Sequence, residues 1–86
     1  MMRPVQTIAV FYRDLPSALE TFVNTDGHIM LRKDGVFPFN GTRVPRMTLE
    51  VAPVSFTKDK ERAKKLVELL GELESNNQIL GFSIRM

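Results

Sequence analysis

The side chains able to do chemistry are few and scattered along this chain of 86 residues. Histidine occurs once, as His28, and with no cysteine beside it a lone imidazole builds neither a catalytic triad nor a metal site. The absence of cysteine also removes disulfides and thiolate catalysis. Asp59, Glu61, Glu68, Glu72 and Glu74 crowd one stretch, but lysines interleave them. That is the pattern of a solvated helix with Glu61 to Lys65 and Lys64 to Glu68 pairs. Gly27, Gly35, Gly41, Gly71 and Gly81 are too dispersed for a phosphate-binding loop. The sequence therefore predicts no catalytic residues, no metal site, no cofactor and no enzymatic activity of its own.

A second group of residues suits contact rather than catalysis. Arg32, Lys33, Arg43 and Arg46 flank the run Val36, Phe37, Pro38 and Phe39, on what reads as a connection of roughly 12 residues between paired strands, and a loop of that length usually has a function. Phenylalanines among arginines are favoured at protein interfaces and also suit stacking on exposed bases. The structural alternative is that Phe37 and Phe39 fold onto a core edge while the basic residues keep that edge soluble. Lys58 and Lys60 open a stretch that ends in Glu68, Glu72 and Glu74, the reverse of what a helix dipole favours. Read functionally, Lys58 and Lys60 mark an anion site; read structurally, a small and salt-screened cost is tolerated.

Periodicity supplies the elements that must hold these residues. From Val5 to Tyr12 the chain reads as a central strand, with Ile8, Val10 and Tyr12 on one face and Ala9 and Phe11 on the other. Asp14 and Pro16 suit a helix start, Leu15, Leu19, Phe22 and Val23 form a stripe, and Asn24 to Gly27 supply the stop. His28 to Lys33 reads as a second strand, closed by Asp34 and Gly35 as a tight turn, with Asn40 and Gly41 a second pair of that kind. Val36 to Phe39 is too short and proline-interrupted for a central strand. Arg46 to Ala52 alternates as a third strand with Met47, Leu49 and Val51 on its dry face. After Pro53, Thr57 offers a cap for a helix from about Lys58 to Ser75, striped by Ala63, Leu66, Val67, Leu70 and Leu73. Leu80, Phe82, Ile84 and Met86 alternate through a last strand.

That order predicts an α+β class and, within it, a ferredoxin-like βαββαβ sandwich: two helices on one face of a four-stranded antiparallel sheet, with an extended segment between strands two and three. Residues 1–86 make a single domain in this reading. Acylphosphatases share the order and use an arginine and an asparagine; Arg13 follows strand one here, but the glycine-containing loop of that family is missing. Val10 to Leu15 also looks like the first-strand motif of RNA-recognition domains, which would give Phe11 a base-stacking role. The third strand departs from that motif, offering Thr48, Glu50 and Ala52 where rings and a basic residue are expected, and Glu50 would repel phosphate.

Hydrophobic content of 43% with 26% charged residues describes a folding chain, not a disordered one. A net charge of +2 permits an anionic partner without demanding one. Apolar runs are too short to cross a bilayer, and no apolar stretch follows Arg3 as a signal peptide requires, so the expected location is cytoplasmic and away from membranes. The leading functional expectation is a small protein-binding module, a regulator, inhibitor or assembly factor, acting through residues 32–46, the open sheet face or both. A nucleic-acid-binding domain using the basic segment and Phe11 is the alternative, and an enzyme subunit completed by oligomerisation the third. Ala9, Phe11, Thr48, Gly81 and Ser83 form a mixed, smooth face expected to support a homodimer.

Overall fold

A run of residues apolar on both sides belongs in the middle of a sheet, and β1 (Gln6–Phe11) sits there, between β3 (Thr42–Val51) and β4 (Gly81–Arg85), with β2 (Ile29–Phe39) beyond β3. Every neighbouring pair is antiparallel. Helices α1 (Ser17–Asp26) and α2 (Phe56–Ser75) complete an α+β architecture in the chain order β1, α1, β2, β3, α2, β4. The computed structural model describes residues 6–85, so the expected strand positions Val5 and Met86 lie outside the described residues. Among the described residues no helix is long and apolar enough to cross a membrane.

The core is built from one face of the sheet and one stripe of each helix. Ile8, Val10, Tyr12, Ile29, Met47, Leu49 and Val51 meet Leu19 and Val23 of α1 and Ala63, Leu66, Leu70 and Leu73 of α2, all buried. Burial of these side chains drives the assembly of the layers. Ile79 closes the same core just ahead of β4, whereas Leu80, expected to begin that strand, is half-buried in the turn. The helices are also tied at their ends: Arg62 of α2 donates to Asp26, the last residue of α1, at 2.6 Å and to Asp59 at 3.2 Å.

Helix ends differ in detail from the sequence expectation. Pro16, not Asp14, holds the cap position of α1, because its extended ψ of 135° turns its carbonyl onto the amides of Leu19 and Glu20. The helix then runs through Asn24 to Asp26 and stops at Gly27, whose φ of 78° only glycine adopts without strain. Helix α2 begins at Phe56, so Thr57 lies inside it and Ser55 holds the cap position. Ser55 makes no side-chain cap bond; instead the Asp59 carboxylate reaches back to accept from the amides of Val54 and Ser55, just ahead of the helix, at 2.9 and 3.2 Å.

The largest correction concerns the segment between the second and third strands. No loop of a dozen residues exists: β2 continues to Phe39 and β3 already begins at Thr42. Asn40 and Gly41, with φ of 50° and 81°, make the two-residue turn. Asp34 and Gly35 instead form a β-bulge, because Lys33 opposes Met47 while Gly35 opposes Arg46, leaving Asp34 as the extra residue. Pro38 is accommodated because β2 is an edge strand.

Candidate functional site

The bulge decides which way the aromatic residues face. Side chains alternate along a strand, so Phe37 and Phe39 would share the helix-covered face with Ile29 and Leu31 if the period were unbroken. The extra residue at Asp34 reverses that parity. Gly35, Phe37 and Phe39 therefore pair with Arg46, Val44 and Thr42, on the face that the helices leave uncovered. The same face receives Ala9 and Phe11 from β1 and Gly81 and Ser83 from β4, as the alternation in those strands predicts.

Beyond β1 the hairpin continues as a two-stranded ribbon, and ribbons with a bulge twist strongly. Its tip curls over the helix-free face. The Phe39 ring reaches across to stack on Phe11, with centroids 4.7 Å apart and planes at 29°. Gly81 of β4 makes room for it, since a Cβ there would lie 2.9 Å from Phe39 Cζ. The Arg46 guanidinium carbon sits 3.6 Å above the Phe37 ring centroid, a cation–π contact. Phe11, Phe37 and Phe39 are each half-buried, and Ala9, Val44 and Thr48 beneath them are buried. The smooth patch expected on this face is thus largely roofed by the chain's own hairpin.

Asp34 organises the polar half of the cluster. Its carboxylate, 9% exposed, accepts from Arg32 Nε at 3.2 Å, from Arg46 Nε at 3.1 Å and from the Thr48 hydroxyl. Burial alone would raise its pKa, but the hydrogen bonds from Thr48, Arg32 and Arg46, with the Arg46 charge, outweigh burial and hold the carboxyl below its ordinary value. Arg32 also donates to Glu50 at 3.2 Å. Arg32 and Arg46 are therefore matched by Asp34 and Glu50.

Of the residues singled out in the sequence, Arg32, Phe37, Phe39 and Arg46 come together in this cluster. Lys33 is exposed and its register position, opposite Met47, belongs to the other face. Arg43 is exposed on the ribbon, with Nη2 donating to the Val36 carbonyl at 3.4 Å. Lys58 and Lys60 are exposed on the first turns of α2, which packs on the opposite side of the sheet; Asp59 between them accepts from the amides of Val54 and Ser55 just ahead of the helix. Asp34, Thr48 and Gly81 are members to which sequence reasoning gave other roles, a tight turn for Asp34 and an open face for Thr48 and Gly81. A signal existed: two Asx-Gly pairs within one connection cannot both be the turn of a single hairpin.

Compared with known proteins, the chain matches no family model, no curated protein and no solved structure.

Proposed function

We propose that the chain is a non-enzymatic protein-binding module of ferredoxin-like arrangement, in which the hairpin ribbon and the aromatic face beneath it contact another protein. The observation that carries this reading is the pairing of Arg32 and Arg46 with Asp34 and Glu50 around half-buried phenylalanine rings. A surface for phosphate needs its arginines available to the ligand, since neutralised phosphates supply most nucleic-acid affinity. Here the guanidinium groups of Arg32 and Arg46 are paired with carboxylates within the cluster. What the face offers a partner is aromatic area and ordered arginine, the combination enriched where protein interfaces concentrate their binding energy. The four-stranded antiparallel sheet in the order β2, β3, β1, β4, with both helices on one side, supports the ferredoxin-like assignment.

The test places a photo-crosslinking residue at exposed Thr42, beside the hairpin turn, and at exposed Glu68 on α2 as control. The expected result is a single protein adduct from Thr42, lost in the Phe37→Ser background, and none from Glu68. Titrations with single- and double-stranded DNA and RNA run alongside at about 50 and 200 mM salt. Tight binding that falls by about a decade or more across that range would instead make the chain a nucleic-acid binder.

A further inference from the structure

The two edges of the sheet are treated differently. An edge strand presents a row of unused backbone donors and acceptors, and natural sheets blunt such rows with bulges, prolines and lysines. The β2 edge carries all three devices, the Asp34 bulge, Pro38 and Lys33. The β4 edge, Gly81–Phe82–Ser83–Ile84–Arg85, carries none, and its register with β1 runs without a shift. Its apolar residues are also incompletely covered: Ile84 is 50% exposed and Phe82 half-buried, although their register partners Ile8 and Val10 are in the core.

We propose that β4 is the docking edge for a second copy of this chain, pairing antiparallel with its own counterpart about a two-fold axis through Ser83. In that register Ser83 faces Ser83 of the other copy, and each Phe82 lies opposite an Ile84, forming two apolar cross-strand pairs on the helix-covered side. Each Arg85 lies opposite a Gly81. The Glu74 carboxylate sits at that glycine, with Oε2 3.5 Å from the position a Cβ on Gly81 would occupy. Each copy thus brings an arginine to the place where the other holds a carboxylate, twice by symmetry. The two sheets join into one of eight strands, and the junction meets the aromatic face at Gly81, the seat of the Phe39 ring, while Phe37 and the hairpin turn lie outside it. The dimer is independent of the protein-binding reading, which rests on Phe37 and Phe39, so either can fail alone.

The experiment is sedimentation of the full chain from about 5 to 500 μM, with charge reversal at the paired positions and a crosslink at the axis. The expected result is a concentration-dependent dimer of the 9.8 kDa chain. Arg85→Glu and Glu74→Arg each weaken it about tenfold or more, and the double variant restores it, because the reversed charges meet again across the axis. Both residues are exposed, and circular dichroism melts verify that the variants fold. With no native cysteine, Ser83→Cys gives one thiol per chain, which should oxidise to a covalent dimer because directly opposed strand residues lie within disulfide reach. Exposed Ser75→Cys, on the last residue of α2, should stay reduced under the same conditions. A monomer throughout the concentration range overturns the proposal. So does a dimer that is indifferent to both charge reversals, or one in which Ser83→Cys oxidises no faster than Ser75→Cys.

Discussion

The Phe39 ring, one residue before the hairpin turn, stacks on Phe11 of the central strand at a centroid distance of 4.7 Å. Sequence separation and strand register both place these residues apart: Phe11 pairs with Arg46, while Phe39 pairs with Thr42 at the far end of the ribbon. Their contact is therefore tertiary. It holds the curled hairpin down on the helix-free face and gives that face an aromatic core of its own.

The strength of this second core is measurable against the first. Leu49 is completely buried between sheet and helices, and Leu49→Ala should cost about 3 to 5 kcal/mol. Phe39→Ala, from a half-buried site, should cost about 2 kcal/mol. A double-mutant cycle with Phe11→Ala should return a coupling of about 0.5 to 1.5 kcal/mol, the range of an aromatic pair. Urea denaturation of the single and double variants supplies all four corners; additive losses would mean that the rings do not support each other.

Gly81 offers a sharper probe of the same seat. Adding a Cβ brings it to 2.9 Å from the Phe39 ring edge, so Gly81→Ala must push the ring away. The expected cost is about 1 kcal/mol, with displaced aromatic proton shifts for Phe11 and Phe39. In a Phe39→Ala background the same substitution meets no ring, and its cost should vanish.

Asp34 predicts a pH dependence whose sign follows from its lowered pKa in the fold. A depressed carboxyl pKa stabilises the folded chain above the unfolded-state value, here the ordinary 3.8, and that stability is lost as pH falls through the folded value. Asp34→Asn removes the charge that Arg32, Arg46 and Thr48 bind, at an expected cost of about 1 to 2 kcal/mol at neutral pH. The gap between wild type and variant should hold from neutrality to about pH 5 and shrink progressively below about pH 4. Thermal melts across that range check it; a gap that widened toward acid would contradict the arrangement of donors around the carboxylate.

The helix-covered half of the protein was legible because its signal is periodic. Alternation at Ile8, Val10 and Tyr12 and at Met47, Leu49 and Val51, with the stripe through Leu66, Leu70 and Leu73, named the core residues that the structure buries. Helix starts were less legible, since Asp59 caps α2 from inside the helix, a position that a search for a preceding hydroxyl misses. The site was half legible. Residue types pointed to Phe37, Phe39, Arg32 and Arg46, but Asp-Gly reads identically as a turn and as a bulge until strand pairing is known. That one ambiguity hid the length of β2, the face of both rings and the role of Asp34. Phe39 over Gly81 was not readable at all, because it depends on how far a twisted ribbon curls.

The bulge itself makes the most demanding prediction. Deleting Asp34 lets Lys33 and Gly35 oppose Met47 and Arg46 as successive pairs, so Phe37 and Phe39 keep the helix-free face, but the added twist of the bulge is lost and the ribbon straightens. The ribbon can keep its turn at Asn40 and Gly41 and the Arg46 to Phe37 contact, yet without the curl it cannot hold the Phe39 ring down on Phe11. Asp34→Gly is the matched control, because it removes the carboxylate but retains the extra residue and with it the bulge. Nuclear Overhauser contacts between the Phe11 and Phe39 rings should therefore survive in Asp34→Gly and disappear in the deletion. Contacts between Leu49 and Leu66 or Leu70, in the core between sheet and helices, should persist in both if each chain remains folded. The deletion should lose about 2 kcal/mol or more, at least as much as Phe39→Ala, since it forfeits the ring stack together with the hydrogen bonds of the Asp34 carboxylate. A crosslink to a partner from Thr42 should follow the rings: retained in the control, lost in the deletion. Should the deletion variant preserve the Phe11 to Phe39 contacts, the curl of the ribbon would not depend on the extra residue, and the assignment of the Asp34 bulge as the device that folds this hairpin over the sheet would be wrong.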